Sequence, residues 1–265
     1  MSYRLDRTCI QNCAERILKE HEIKKLPVNP LEIAKKEGIL VQSKNDCEPG
    51  VSAMLLKKGD NVGIYYSTYL NNKGFENFSI AHELGHYFLE NHLDYLFKTS
   101  EIHLSNAEHL SSDKIEQEAD TFAAALLMPE TLFKDELIQH EKGLTCIQAM
   151  ATLCNTSLTA TAIRYAELTS GKVIIIVSTD GIVDYCCISD SVFKLKEIEK
   201  PKKGWKIPPE TATYLLSKNP DSVKKLEKIG VETRFIDWLE CISSKKAYEE
   251  AIGLGKYGKV LTVIS

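Results

Sequence analysis

The amino-acid sequence predicts an α+β fold with two regions of different character. Up to about residue 170, amphipathic helical patterns alternate with short β-type runs, as in domains that pack helices beside a small sheet. After Gly171, the runs Val173–Val177 and Ile182–Ile188 flank a Ser-Thr-Asp-Gly turn and begin a second, smaller α/β region. The length of 265 residues is enough for more than one domain.

The individual elements follow from periodicity and turn signals. Apolar residues at helical spacing predict helices, β-branched runs predict strands, and Pro129 ends one strong helix. In chain order we predict helices over 4–24 and 30–37, strands over 39–41, 51–56 and 62–66, helices over 77–90, 113–128 and 131–141, two helices in 144–168 with a break near 155–157, strands over 173–177 and 182–188, helices near 209–217 and 221–228, and strands near 231–239 and 259–264. The polar residues 91–112 are interpreted as loop with some helix. The strand Val62–Tyr66 is a candidate edge to which a substrate chain adds.

Composition narrows the class of protein. The formal net charge is −4, from 37 acidic and 33 basic residues, which does not indicate nucleic acid as the main partner. No stretch reaches the ~18 uncharged apolar residues of a membrane span, and the charged N-terminus lacks the apolar core of a signal peptide. We therefore expect a cytoplasmic protein with no membrane partner, whose eight cysteines are reduced and structural.

The strongest chemical signal is the segment His82-Glu83-Leu84-Gly85-His86. On a helix, His82 and His86 lie one turn apart on one face, which is the spacing with which two imidazoles hold one zinc ion. Glu83 is rotated away, so its carboxylate can reach a water molecule on the metal and act as the general base of a protease. Gly85 costs about 1 kcal/mol relative to alanine in mid-helix, and a close approach by another backbone would explain it.

A third protein ligand is expected from the helix over 113–128, which leaves one zinc position open. Glu116 and Asp120 share a face, so Glu116 is the preferred ligand, and Asp120 accepts the outer N–H of a ligand histidine. Glu118 is the competing ligand, but it points about 200° around the helix from Glu116, so both cannot serve. The oxyanion formed at the substrate carbonyl needs a donor, for which the candidates are Tyr87, His92, His103 and His109.

With these residues in place, the chain resembles the ImmA/IrrE family of zinc peptidases. The resemblance is carried by FSIAHELGHY at 78–87, EQEADTFAAALLMP at 116–129 and LPVNPLEIA at 26–34, and it is firm over about residues 8–130. It implies a gluzincin-like fold, in which two helices present the ligands beside a small sheet whose edge strand receives substrate.

The resemblance also implies roles for single residues. His82, His86 and Glu116 would be the zinc ligands, and Glu83 the catalytic acid and base. Family members more often carry Asn where this chain has Asp120, and Asp can accept the same hydrogen bond. The implied function is control of gene expression, by cleaving or inactivating a helix-turn-helix repressor of a mobile element or stress regulon.

Longer, IrrE-like members add a helix-turn-helix-like segment and a GAF-like sensor. The resemblance therefore implies a zinc metallopeptidase domain over 1–140, a helical segment over 141–170 and an α/β sensor-like domain over 171–265. Between Gly143 and Gly171 the only charged residues are Arg164 and Glu167, so the helix pair has few groups for phosphate contacts. We interpret it as a packing element or partner dock, with direct DNA binding not expected.

Two other functions fit the same residues. The chain could be a zinc-bearing regulator that binds its repressor without proteolysis, or a toxin held off by an antitoxin. The variant Glu83→Gln would spare a function that depends on binding alone, whereas His82→Ala would destroy it.

Overall fold

A computed structural model describes residues 7–45, 50–106, 113–195, 198–239 and 245–265. The candidate residue His109, together with Cys47 and Cys241, lies outside these ranges. The described cysteines form no disulfide bond with one another, and their reduced state stays a prediction. None of the helices in the described part of the chain has the length and apolar character that a membrane crossing requires.

The chain divides into two compact units. The first comprises Met1–Asp135 and Ala151–Ser157, and the second comprises Glu136–Met150 and Leu158–Ser265. These divisions differ from the predicted boundaries near residues 140 and 170, and the division into three functional domains stays a prediction.

The first unit combines helices with a small mixed sheet. Its elements, with the two helices that continue beyond it, are α1 (Arg7–Glu20), α2 (Pro30–Lys36), β1 (Leu40–Lys44), β2 (Val51–Lys58), β3 (Asn61–Ser67), α3 (Lys73–Phe88), α4 (His92–Leu96), β4 (Ile102–Asn106), α5 (Lys114–Leu127), α6 (Glu130–Leu137) and α7 (Leu144–Cys154). The strand order is β1-β3-β2-β4, in which β1 runs parallel to β3 and the other pairs are antiparallel.

This order corrects the prediction about the edge strand. Residues 62–66 lie in β3, between β1 and β2, so both of its sides already pair with neighbouring strands. The outer strand beside β2 is β4, in the stretch that we expected to be loop with some helix. In β4, Ile102 and Leu104 are exposed, whereas Ser105 is buried.

The core of the first unit forms around α3 and α5. Ile80 and Leu84 of α3 and Phe122 of α5 are fully buried. Gly85 permits the helices to approach closely, since a Cβ built there would lie 3.0 Å from the Cα of Ala119. The predicted reason for a glycine at this position is therefore confirmed.

The start of α3 is held by a side-chain cap and by a turn. Asn72 caps the helix by accepting a hydrogen bond from the backbone N–H of Phe75 at 3.1 Å. The predicted break after α7 has a left-handed residue, Asn155, whose carbonyl accepts a hydrogen bond from the side chain of Asn77 at 3.2 Å. A Cβ on Gly74 would lie 2.8 Å from the carbonyl carbon of Thr156, so the turn packs directly on α3.

The second unit is built on an antiparallel sheet. Its further elements are α8 (Leu158–Leu168), β5 (Ile174–Thr179), β6 (Ile182–Ile188), α9 (Asp190–Phe193), α10 (Ala212–Ser217), α11 (Pro220–Lys224), β7 (Lys228–Arg234), β8 (Lys246–Gly253) and β9 (Lys259–Ile264). The strand order is β6-β5-β9-β8-β7. The predicted α+β class, with a second sheet region after the first, is confirmed. The strand β8 was not predicted.

Candidate metal centre and active site

Helix α3 presents both histidines of the HExxH segment to one point. The Nε2 atoms of His82 and His86 lie 3.1 Å apart, and their rings meet edge to face. Both side chains are buried, with His86 fully excluded from solvent. The helical period of 3.6 residues produces this pairing, because residues four apart lie one above the other.

Helix α5 brings a carboxylate to the same point. Glu116 Oε2 lies 3.2 Å from His82 Nε2, and Glu116 Oε1 lies 3.4 Å from His86 Nε2. One ligand atom from each of the three residues falls within 4.8 Å of the others. The two helices can place these atoms together because Gly85 has no side chain between them.

The other two acidic residues of α5 contact different imidazoles. Asp120 Oδ1 lies 2.9 Å from Nδ1 of His82, on the ring edge away from Glu116. A proton on Nδ1 would donate to this carboxylate and leave Nε2 free as a ligand. Glu118 lies elsewhere, with its Oε2 3.1 Å from Nε2 of His92. The geometry thus sets Glu116, and not Glu118, beside the two histidines.

Glu83 lies buried next to this cluster. Its side chain is fully excluded from solvent, and neither carboxylate oxygen has a hydrogen-bond partner among the described residues. Burial raises the pKa of Glu83, because a charged carboxylate is poorly solvated there. A buried carboxyl group of this kind is suited to taking up and releasing a proton.

The cluster has the electrostatics of a cation site. Burial lowers the pKa of His86 to about 4, so its imidazole is neutral and can offer a lone pair. Burial alone would raise the pKa of Glu116, but its close contacts with the imidazoles of His103, His82 and His86 hold that pKa far below its usual range. Burial opposes protonation of His82, yet its bonds to Asp120 and Glu116 raise its pKa to about 10. A metal ion would replace the proton that His82 otherwise carries.

The candidate oxyanion donors lie in different places. His103, on β4, reaches the cluster, with Nε2 3.2 Å from Glu116 Oε1 and its ring 5.0 Å from that of His86. His92 instead contacts Nδ1 of His86, on the edge away from Glu116. Tyr87 packs edge to face on Phe88. Among the described candidates, His103 is therefore the one placed near a reacting group.

The residues present fit a bound zinc ion. Two imidazoles and one carboxylate form the N₂O set of catalytic zinc sites, which keep a fourth position open, once the metal has replaced the proton on His82. Asp120 supplies the outer carboxylate that orients such a histidine. The oxygens of Glu83 are buried without a hydrogen-bond partner in the described residues, and such groups need a polar partner, which a metal-bound water could supply.

Comparisons with known proteins agree with this site. Residues 34–165 match the sequence model of a peptidase family described as the IrrE N-terminal-like domain. Among solved structures, the chain is similar to a "Mycobacterium tuberculosis transcriptional regulator", with a TM-score of 0.63 and 14% identity, over 97% of this chain and 75% of that chain. At 14% identity this similarity shows a common fold only. No curated protein matches the chain.

Proposed function

We propose that this chain, which belongs to the peptidase family of the IrrE N-terminal-like domain, is a zinc-dependent endopeptidase that cleaves or inactivates a helix-turn-helix transcriptional repressor. The observation that carries the proposal is the convergence of His82, His86 and Glu116 beside the buried Glu83. A regulatory purpose is supported by the similar fold of a protein named as a transcriptional regulator. We also propose that it acts in the cytoplasm.

The residues of the site would have separate roles in the reaction: metal binding, orientation of a ligand and proton transfer. When bound, zinc supplies Lewis-acid chemistry, which acidifies water and polarises the peptide carbonyl. His82, His86 and Glu116 would hold it, and Asp120 would fix the orientation of His82. Glu83 would take a proton from the attacking water and pass it to the leaving amine, a function that its raised pKa favours.

Substrate would enter along β4. This strand pairs with β2 on one side and is the last strand of the described sheet on the other, so a peptide can add to it by backbone hydrogen bonding. Its exposed side chains, Ile102 and Leu104, would contact apolar side chains of the substrate. His103, on the same strand, would donate a hydrogen bond to the oxyanion.

The helix pair α7 and α8 is not expected to bind DNA directly. Arg164, the one basic side chain of this segment, is only 3% exposed and pairs with Glu167 at 3.2 Å. An arginine held in this way does not reach phosphates, which supply most non-specific affinity for DNA.

The test uses the purified full chain. We expect about one zinc per chain, and we expect wild type to cut a helix-turn-helix repressor encoded beside its gene. Glu83→Gln should keep the zinc and lose about 10²–10⁴-fold in rate, as expected for removal of a general base. If wild type and Glu83→Gln leave the same amount of intact repressor, the protease proposal is wrong.

His103 favours a second candidate function. Because its Nε2 lies 3.2 Å from Glu116, it would be able to complete a four-ligand, closed site of the structural type. The chain would then inactivate its repressor by binding alone. In that case Glu83→Gln keeps full repressor inactivation and His82→Ala abolishes it, whereas the peptidase requires both residues.

A further inference from the structure

His92 lies between His86, a proposed metal ligand, and Glu118, which has no role in the proposed reaction. It lies at the start of α4 and is 1% exposed. Its Nδ1 is 3.1 Å from Nδ1 of His86, and its Nε2 is 3.1 Å from Oε2 of Glu118. A continuous chain of polar contacts therefore leads from the proposed metal centre through the imidazoles of His86 and His92 to the carboxylate of Glu118 on α5. We call this chain of contacts the relay.

The positions of the protons in this chain follow from metal binding. If His86 binds through Nε2, its remaining proton is on Nδ1 and donates to Nδ1 of His92. His92 must then carry its own proton on Nε2, where it donates to the carboxylate of Glu118. Every polar atom along the chain has a partner in this arrangement, and each ring has a single tautomer.

We propose that Glu118 and His92 are positioning residues, which orient His86 and fix its tautomer for metal binding. This proposal rests on the proposed metal site and adds two residues that orient one of its ligands. His82 achieves the same result by direct contact with Asp120, at 2.9 Å. His86 is fully buried, and its Nδ1 contacts an imidazole rather than a carboxylate among the described residues; through that imidazole, His92 carries the effect of Glu118 to it.

The experiment measures zinc affinity of the full chain by competition with a chelator. Glu118→Gln keeps the shape of the side chain and removes its charge, and His92→Phe keeps a ring and removes both nitrogens. Each change should weaken zinc binding by about 10–100-fold, as for other residues that support a ligand histidine. Glu118 acts only through His92, so the double variant should bind within about twofold of His92→Phe.

A matched control removes a charge from the same segment. Glu90 is exposed and lies between His86 and His92 in the sequence. Glu90→Gln should bind zinc within about twofold of wild type, since a surface charge there has no part in the relay. Thermal unfolding of each metal-free variant separates positioning from structural damage. Glu118 is 26% exposed, so its isosteric variant should unfold at the wild-type temperature even if His92→Phe does not.

The outcomes are distinguishable. Failure of wild type to bind zinc overturns the proposed metal centre and the relay together. Normal zinc binding by wild type with unchanged affinity in Glu118→Gln overturns the relay alone. Additive losses in the double variant, or losses that occur only with a lower metal-free unfolding temperature, mean that the two residues act separately or structurally.

Discussion

The contact between Gly85 and α5 allows a sharp prediction for Gly85→Ala. The added Cβ would lie 3.0 Å from the Cα, 3.2 Å from the carbonyl oxygen and 3.3 Å from the Cβ of Ala119. Carbon atoms in contact prefer about 3.5–4.0 Å, so the two helices must separate by about 0.5 Å. Neither helix can avoid the contact by a change of side-chain rotamer, because two of the three Ala119 atoms belong to the helix backbone.

This separation would affect metal binding more than folding. Zinc–ligand distances tolerate about 0.2 Å, and the shift moves the histidines of α3 from Glu116 of α5 by more than that. We therefore expect zinc affinity to fall by at least about tenfold. The free energy of unfolding should change less, because alanine gains about 1 kcal/mol of helix propensity against about 1–3 kcal/mol of overpacking. The net loss is about 0–2 kcal/mol.

The assay compares zinc affinity, by chelator competition, with metal-free thermal unfolding. Gly74→Ala is the matched control, since it lies in the same helix and its Cβ would lie 2.8 Å from Thr156 and 2.9 Å from Ser157. It should lower stability and leave zinc affinity near the wild-type value. If Gly85→Ala binds zinc as tightly as wild type, Gly85 does not control the separation of the ligands, and the reasoning fails.

Three further predictions address the metal centre and the second unit. Asp120→Asn keeps an acceptor for Nδ1 of His82 and should weaken zinc binding less than about tenfold, whereas Asp120→Ala should weaken it by about 10–100-fold. Equal effects of the two variants would contradict a role for the hydrogen bond between His82 and Asp120. The pKa of His82 is raised to about 10 and that of His86 is lowered to about 4, so zinc must displace one proton between those values. Apparent affinity should thus rise about tenfold per pH unit from about pH 6 to 8, and a flat profile in titrations would refute this. Glu249 is fully buried and accepts hydrogen bonds from the backbone at the start of α10. Glu249→Ala should therefore lower the free energy of unfolding of the second unit by about 2–4 kcal/mol in denaturant unfolding, whereas the surface control Glu232→Ala should lower it by about 0.5 kcal/mol.

The part of the site that lies on single helices could be predicted from the sequence. Helix periodicity alone sets His82 above His86 and places Glu116 on the same face as Asp120. The close approach at Gly85 was predicted from the cost of a glycine in mid-helix. Each of these statements needs only local geometry, which the order of residues determines.

The strands β4 and β8 could not be predicted, because both depart from the usual pattern. In β4 the buried residue is Ser105 and the exposed residues are Ile102 and Leu104, since its inner face borders a polar site. A search for apolar residues facing inward therefore fails there. In β8, Glu249 is buried because it accepts hydrogen bonds from the start of α10, and no local signal predicts that partner.

The acidic residues of α5 show where an argument from helix geometry stops. The angle of about 200° between Glu116 and Glu118 correctly separates them, because one metal ion cannot be reached from opposite sides of a helix. That angle does not exclude Glu118 from the site, since His92 approaches it from the other side. The approach depends on Asn91, whose left-handed backbone turns the chain back after α3. The spacing of residues along one helix therefore predicts which carboxylate can bind the metal directly. Which carboxylate acts through an imidazole depends on how α4 packs, and that is a property of the tertiary structure.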